Sequence, residues 1–302
     1  MCGIVGLFSK APSIEEHLGA HLGAMLAEMG DRGPDSAGVA VYRDPAPSGS
    51  AKVTLHSADA AEDWNAVGAA LAAAFGGSPE PDLRASHAVF VVDTDAATAG
   101  DWLAASLPHL RVMSAGSSIE IYKEMGRPSD FVARFGLQDI QATHALGHTR
   151  MATESRVTTQ HSHPFSTGLD LCLVHNGSLS NHNRLRRELR REGIVFQTDN
   201  DTEVAAGYLT HRMREGATLE QALEGCLADL DGFYTFAVGT RDGFAVLRDP
   251  IACKPAVMAE TSEWVAMASE YRAIAVLPGA RNATVWEPEP ATIYSWGREK
   301  VA

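Results

Sequence analysis

The chain has 302 residues, 45% hydrophobic and 21% charged, which is ample apolar material for one large domain or two small ones. A formal charge of −13 argues against a nucleic-acid binder, whose affinity rests on neutralising phosphates with basic side chains. No segment reaches the roughly 18 apolar residues of a membrane span, and the start lacks the basic flank of a secretory signal. The four cysteines form no CxxC pair, so a disulfide framework or thiolate zinc site is not expected and a reducing cytoplasm fits best.

The first stretch, Met1-Cys2-Gly3-Ile4-Val5-Gly6-Leu7-Phe8, is unusual. Removal of Met1 would leave Cys2 with both a thiol and a free α-amine. That amine titrates near 7.7–8.0 in peptides, so at neutral pH a useful fraction is a free base beside its own nucleophile. The alternative is a small hydrophobe entering a buried strand. Ile4 to Phe8 reads as that strand. Ser13 and Glu16 have capping-box spacing, and Ile14, Leu18, Leu22, Met25, Leu26 and Met29 follow at helical spacing until Gly30. The turn-rich run from Asp31 to Gly38 follows, in which Arg32 and Asp35 are spaced to brace one another. Val39 to Arg43 is a predicted strand, with Lys52 to His56 as its hairpin partner.

From about 57 to 138 the texture changes to alanine-rich helix and short strands. Helices are expected over 60–75 and 97–107, a strand over 87–93 and a hairpin over 111–122. This segment shows no catalytic constellation, and Lys123-Glu124-Met125-Gly126 reads as solvated surface. A strand-like approach then ends at Gly147-His148-Thr149-Arg150-Met151-Ala152-Thr153, where the fork of Arg150 suits a carboxylate. His161-Ser162-His163 has two histidines but no third ligand at suitable spacing, so a metal is not expected. Leu171 to Val174 forms a strand into His175-Asn176-Gly177. An Asn amide and a Gly N–H there could serve an oxyanion, or be a plain Asn-Gly turn.

The helix after Ser180 carries Arg184, Arg186, Arg187, Arg190 and Arg191. Thr198-Asp199-Asn200-Asp201-Thr202-Glu203 caps the next one, and one of its acids could hold an ammonium group. Thr218 and Gln221 form a capping box for a helix that makes Cys226 core. Beyond Gly232 the period becomes two: strands are expected at 233–238 and 244–247 around a hairpin, then at 256–259, 264–268, 274–277 and 292–296. Helices in blocks beside antiparallel hairpins indicate a layered α+β sandwich.

Taken in order, Cys2, RGPDSAG at 32–38, GHTRMAT at 147–153, HSHPF at 161–165, VHNGSLSN at 174–181 and TDNDTE at 198–203 resemble the class II glutamine amidotransferase domain of the N-terminal nucleophile hydrolases. RDPIACKP at 248–255 and ASE at 268–270 look like that family's closing strands. Within the family the chain looks closest to free-standing glutamate synthase-like subunits, including the amidotransferase subunit of N-methylglutamate synthase. The resemblance implies a four-layer αββα sandwich of two antiparallel sheets. It implies one domain, 2–302, with an inserted α/β segment at about 57–138.

The resemblance also implies roles. Cys2 is the nucleophile with its α-amine as base, and Asn176 with Gly177 holds the oxyanion. Arg150 holds the glutamine α-carboxylate and Asp201 its α-ammonium, while Thr153 and His163 shape the pocket. Arg32, with Asp35, supports the N-terminus. Met151 stands where many members carry an aromatic residue, and Glu154-Ser155 replaces a more usual small or polar pair. No cofactor is implied for this chain. The expected partner is a separate synthase subunit in a hetero-oligomer, since the chain ends soon after its final predicted strands, and the resemblance suggests a flavin-dependent one. Two other classes compete: an N-terminal nucleophile hydrolase of a different amide, and a catalytically silent regulatory subunit. The Arg150–Asp201 pair opposes the first, because only an amino-acid zwitterion needs both charges. The intact Cys2, Asn176 and Gly177 oppose the second.

Overall fold

The computed structural model describes residues 2–151 and 157–298. The first half runs β1 (Gly3–Ser9), α1 (Pro12–Glu15), α2 (Leu18–Glu28), β2 (Ser36–Tyr42), β3 (Ala51–His56), α3 (Trp64–Phe75), β4 (Asp82–Arg84), β5 (His87–Val92), α4 (Ala96–Ser106), β6 (Arg111–Gly116), β7 (Ile119–Met125), α5 (Pro128–Arg134) and β8 (His144–Arg150). The second half runs β9 (Phe165–Gly168), β10 (Leu171–Leu179), α6 (His182–Arg191), α7 (Asp201–Arg214), α8 (Leu219–Asp229), β11 (Gly232–Thr240), β12 (Gly243–Arg248), β13 (Val257–Glu260), β14 (Trp264–Ala268), α9 (Tyr271–Ala275), β15 (Thr284–Trp286) and β16 (Ile293–Gly297).

Two antiparallel sheets make the centre. One has the order β15-β13-β14-β1-β8-β2-β7, the other β16-β12-β11-β10-β9. Strand alternation explains why β1 is apolar on consecutive residues. Val5 and Leu7 pack outward against Leu22, Met25 and Leu26 of α2. Ile4 and Phe8 point inward to Val174, Ala237 and Phe244 of the second sheet. A strand buried on both faces has no polar side, and each fully buried large side chain contributes about 1.5–3 kcal/mol. The outer face of the second sheet is covered in the same way by α6, α7 and α8, through Leu185, Leu189, Val204, Leu209 and Leu223. The layers are helix, sheet, sheet, helix, the expected α+β sandwich. A third sheet, β4-β5-β3-β6, with α3 and α4 and its own core around Val53, Leu71 and Phe90, projects from the stretch between β2 and β7.

Several local expectations fail for reasons visible in the packing. The Ser13 capping box does not form: the chain enters α1 through Pro12, with Ala11 as the N-cap and no side-chain cap. The helix then breaks at His17, where the Gly19 amide donates to the Ile140 carbonyl at 3.0 Å. β3 pairs with β5 and β6, not with β2, whose neighbours are β7 and β8. For the same reason β6 and β7 belong to different sheets and form no hairpin. The span 274–277, read as a strand, falls in and after α9. By contrast, the Thr218–Gln221 capping box is present and Cys226 is fully buried.

Candidate active site

The site gathers at one end of the two central sheets. Cys2 is half-buried, just ahead of β1, the middle strand of the first sheet. The start of β1 is pinned on one side by Ser269, whose Oγ accepts from the Ile4 amide at 2.9 Å and whose own amide donates to Ile4 O at 3.0 Å. Two side chains then converge on the Cys2 carbonyl: Arg32 Nε at 3.0 Å and Asn176 Nδ2 at 3.3 Å.

Arg32 does not brace Asp35. Among the described residues its ion-pair partner is Glu270, at 2.5 Å, which also binds Arg272 Nε at 2.8 Å. The hydrogen bond from Arg32 holds the Glu270 carboxyl below its ordinary range, and the charge of Arg272 adds to the effect. The main chain of Asp35 joins this region to β8, its amide donating to Arg150 O at 3.0 Å and its carbonyl accepting from the Gly126 amide at 2.8 Å.

Asn176 and Gly177 lie inside β10, paired with Thr235 and Tyr234 of β11, so the plain Asn-Gly turn is excluded. Gly177 has φ +154°, and a Cβ there would sit 2.0 Å from Phe233 O. Only glycine fits, which leaves this backbone uncovered by a side chain.

Arg150 closes β8 and is buried, with Nη1 donating to His161 O at 3.0 Å. His161 in turn reaches Asp199 Oδ1 at 3.0 Å and Thr158 Oγ1 at 2.7 Å, which ties this loop to the segment before α7. Thr153 lies outside the described residues. Asp201 opens α7 behind the N-cap Asn200 and accepts from the Leu179 amide at 3.0 Å, so its carboxylate stands where β10 ends and α7 begins. A carboxylate is favoured at a helix N-terminus.

Behind these groups is a buried cluster that the sequence did not announce. Thr202 Oγ1 bridges His163 Nε2 at 2.9 Å and His175 Nδ1 at 3.0 Å, and the rings of His148 and His163 stand 4.0 Å apart. His148 Nε2 donates to His175 O at 3.1 Å, which fixes its tautomer. Burial favours the uncharged ring in all three: it pulls His148 down to about 3 and lowers His163 and His175 as well. His163 is thus part of the support beneath the site. No group of three His, Cys, Asp or Glu able to hold a metal occurs among the described residues.

The remaining thiols are unlike Cys2. Burial pushes Cys172 up to about 11 and raises Cys226 too, while Cys253 is exposed in a loop. The sequence also missed Glu270, Thr202 and Lys123. Glu270 lay within the ASE string, and Thr202 within TDNDTE; Lys123 was read as surface, yet it is buried.

The helix–sheet–sheet–helix sandwich, with Cys2 set against the Asn176-Gly177 strand, has the fold class of the N-terminal nucleophile proteins. The glutamine amidotransferase domain family matches residues 148–276. The glutamine amidotransferase-like protein GlxB of Rhizobium meliloti is 57% identical over the whole of both chains. A glutamine–fructose-6-phosphate aminotransferase of Idiomarina loihiensis is 32% identical over 123 residues, 41% of this chain and 20% of that one. Among solved structures, glutamine phosphoribosylpyrophosphate amidotransferase from B. subtilis superposes with a TM-score of 0.62 at 20% identity, over 98% of this chain and 47% of that one. The chain therefore belongs to the class II glutamine amidotransferases. None of its described helices is long and apolar enough to cross a membrane.

Proposed function

We propose that the chain hydrolyses the side-chain amide of glutamine through a thioester on Cys2 and hands the ammonia to a separate synthase subunit. The carrying observation is the convergence of the Asn176 amide and Arg32 on the Cys2 carbonyl, which sets the thiol-bearing residue against the Asn176-Gly177 strand. After removal of Met1, the α-amine takes the thiol proton as Sγ attacks the amide carbon. Negative charge on the carbonyl oxygen is met by the Asn176 amide and the Gly177 N–H. The C–N bond then breaks, the proton passes to the leaving nitrogen and ammonia departs. Water adds to the thioester with the same amine as base, the C–S bond breaks, and glutamate leaves. Arg150 binds the substrate α-carboxylate and Asp201 its α-ammonium, with Thr153 and His163 shaping the pocket and Arg32 and Asp35 supporting it. None of these steps calls for a metal or cofactor.

The ammonia acceptor is a glutamate synthase-like or N-methylglutamate synthase-like subunit, flavin-dependent, in a hetero-oligomer in the cytoplasm. The outer face of α6, with Arg184, Arg187, Arg190 and Arg191 exposed on an acidic protein, suits an acidic docking surface.

The test is covalent labelling with a diazoketone analogue of glutamine, read by mass spectrometry. The label is expected on an N-terminal Cys2 that lacks Met1. Label on Cys253, or full glutaminase activity in Cys2→Ala, sinks the mechanism. Co-purification tests the partner: the isolated chain should hydrolyse glutamine slowly and accelerate when the subunit that travels with it is restored. Full-rate amination of a second substrate by the chain alone refutes the division of labour.

A further inference from the structure

Lys123 is a buried cation that the chemistry above leaves unused. It sits on β7 opposite Gly38 of β2, beneath the loop that leads to β9, and is 5% exposed. Its ammonium has no carboxylate partner among the described residues. Glu203 acts on it only through space, because that carboxylate is occupied by the Gln197 and Thr198 amides, at 2.7 and 2.8 Å, and by the Thr198 hydroxyl. Lys123 Nζ donates instead to three main-chain carbonyls, Ser162 O at 3.0 Å, Pro164 O at 3.1 Å and Gln160 O at 3.4 Å, and lies 4.4 Å from the centre of the Phe165 ring. Burying a charge this way is costly, and desolvation pulls the lysine down to about 7. A methionine would fill the space without that cost, so stability alone is a poor reason for a lysine.

The carbonyl pattern supplies a better one. Those of residues 160, 162 and 164 turn to the ammonium. The carbonyl between the first two, His161 O, turns the other way and accepts Arg150 Nη1 at 3.0 Å. The His163 carbonyl is seated over Gly38, where a Cβ would stand 2.1 Å away. We infer that Lys123 is a positioning residue for glutamine: by capturing alternate carbonyls of residues 160–164 it holds His161 O toward Arg150, and so aims the guanidinium at the substrate α-carboxylate. This rests on the proposed role of Arg150.

The test compares glutaminase kinetics of Lys123→Met, Lys123→Gln and Arg150→Lys with the parent, together with the fraction of chains labelled by the diazoketone at saturating concentration. A misaimed clamp weakens glutamine binding, so Lys123→Met should raise KM about tenfold or more with kcat nearly kept. Lys123→Gln retains an amide that can donate to two of the three carbonyls, and should fall between. A purely structural lysine would lower the labelled fraction and the melting temperature and leave KM unchanged. That result, with KM raised in Arg150→Lys, overturns the inference while sparing the clamp. An unchanged KM in Arg150→Lys overturns the clamp, and the inference with it.

Discussion

Replacing Asn176 by alanine separates a catalytic from a structural role, because the structure makes the two costs very different. The side chain is 4% exposed, and its Nδ2 donates to Cys2 O at 3.3 Å. Alanine keeps the Cβ, the strand pairing with Thr235 is main chain, and Cys2 O retains the shorter bond from Arg32. The loss in the resting protein is therefore one long neutral hydrogen bond, about 0.5–1.5 kcal/mol, which for a chain of this size moves the melting temperature by about 1–2 °C. In the transition state of the proposed mechanism the same amide faces full negative charge. Loss of one such donor costs about 2.7–4 kcal/mol, or about 10²–10³ in kcat. The assay is glutaminase kinetics alongside thermal unfolding, with alkylation of Cys2 by a simple haloacetamide as a control that needs no oxyanion. The expected result is a rate fall of that size with alkylation preserved and a small thermal shift. A kcat within tenfold of the parent, with Cys2 still alkylated, refutes the assignment of Asn176 to the oxyanion.

Two further outcomes follow from the same geometry. Arg150→Lys keeps the charge but loses the fork, and Asp201→Asn keeps the shape but loses the charge; each should raise KM for glutamine about tenfold to a hundredfold, the equivalent of a charged hydrogen bond of about 1.5–3 kcal/mol, and parental KM in both would place the pocket elsewhere. Stability should fall as the solution is acidified from neutrality. Burial pulls His144 and His56 down to about 4 and His148 to about 3, against about 6.5 when unfolded, so between those values the unfolded chain binds more protons. Each adds a slope of about 1.4 kcal/mol per pH unit, fully favourable above about 6.5 and lost on the way down. A urea midpoint unchanged from pH 7 to pH 5 would contradict this.

The layers were legible because each leaves a periodic trace. β1 reads as an unbroken apolar run since both faces are buried, and α2 reads as a stripe since one is. Sheet membership was not legible. Nothing in Lys52–His56 says that it pairs with β5 and β6 rather than with β2, because pairing is decided by which apolar face finds a cover: α3 and α4 cover this one. The 274–277 segment shows the same limit at short range. Ile274 and Leu277 are three apart and face the α2 side of the sheet from a short helix and the turn after it, yet a run of four apolar residues fits a strand equally well.

The site divides along a related line. Side chains expected to touch substrate lay in short strings and could be read one motif at a time, because a reaction demands particular chemical groups. The groups that hold those side chains act through long separations and largely through main-chain atoms. Arg32 meets Glu270, 238 residues away, and Arg150 meets a carbonyl, that of His161. Every peptide carries a carbonyl, so a lysine that binds three of them has no sequence partner to betray it. This is why Lys123 reads as solvated surface, its own strand offering no acid to pair with except Glu120 and Glu124. Glu120 is taken by Lys52 at 3.0 Å and Arg43 at 3.2 Å, and Glu124 by Arg134 at 3.1 Å. A buried lysine passed over by both neighbouring acids, yet seated on alternate carbonyls of the loop that contacts Arg150, carries information that a sequence motif cannot: it marks where the fold holds a backbone still.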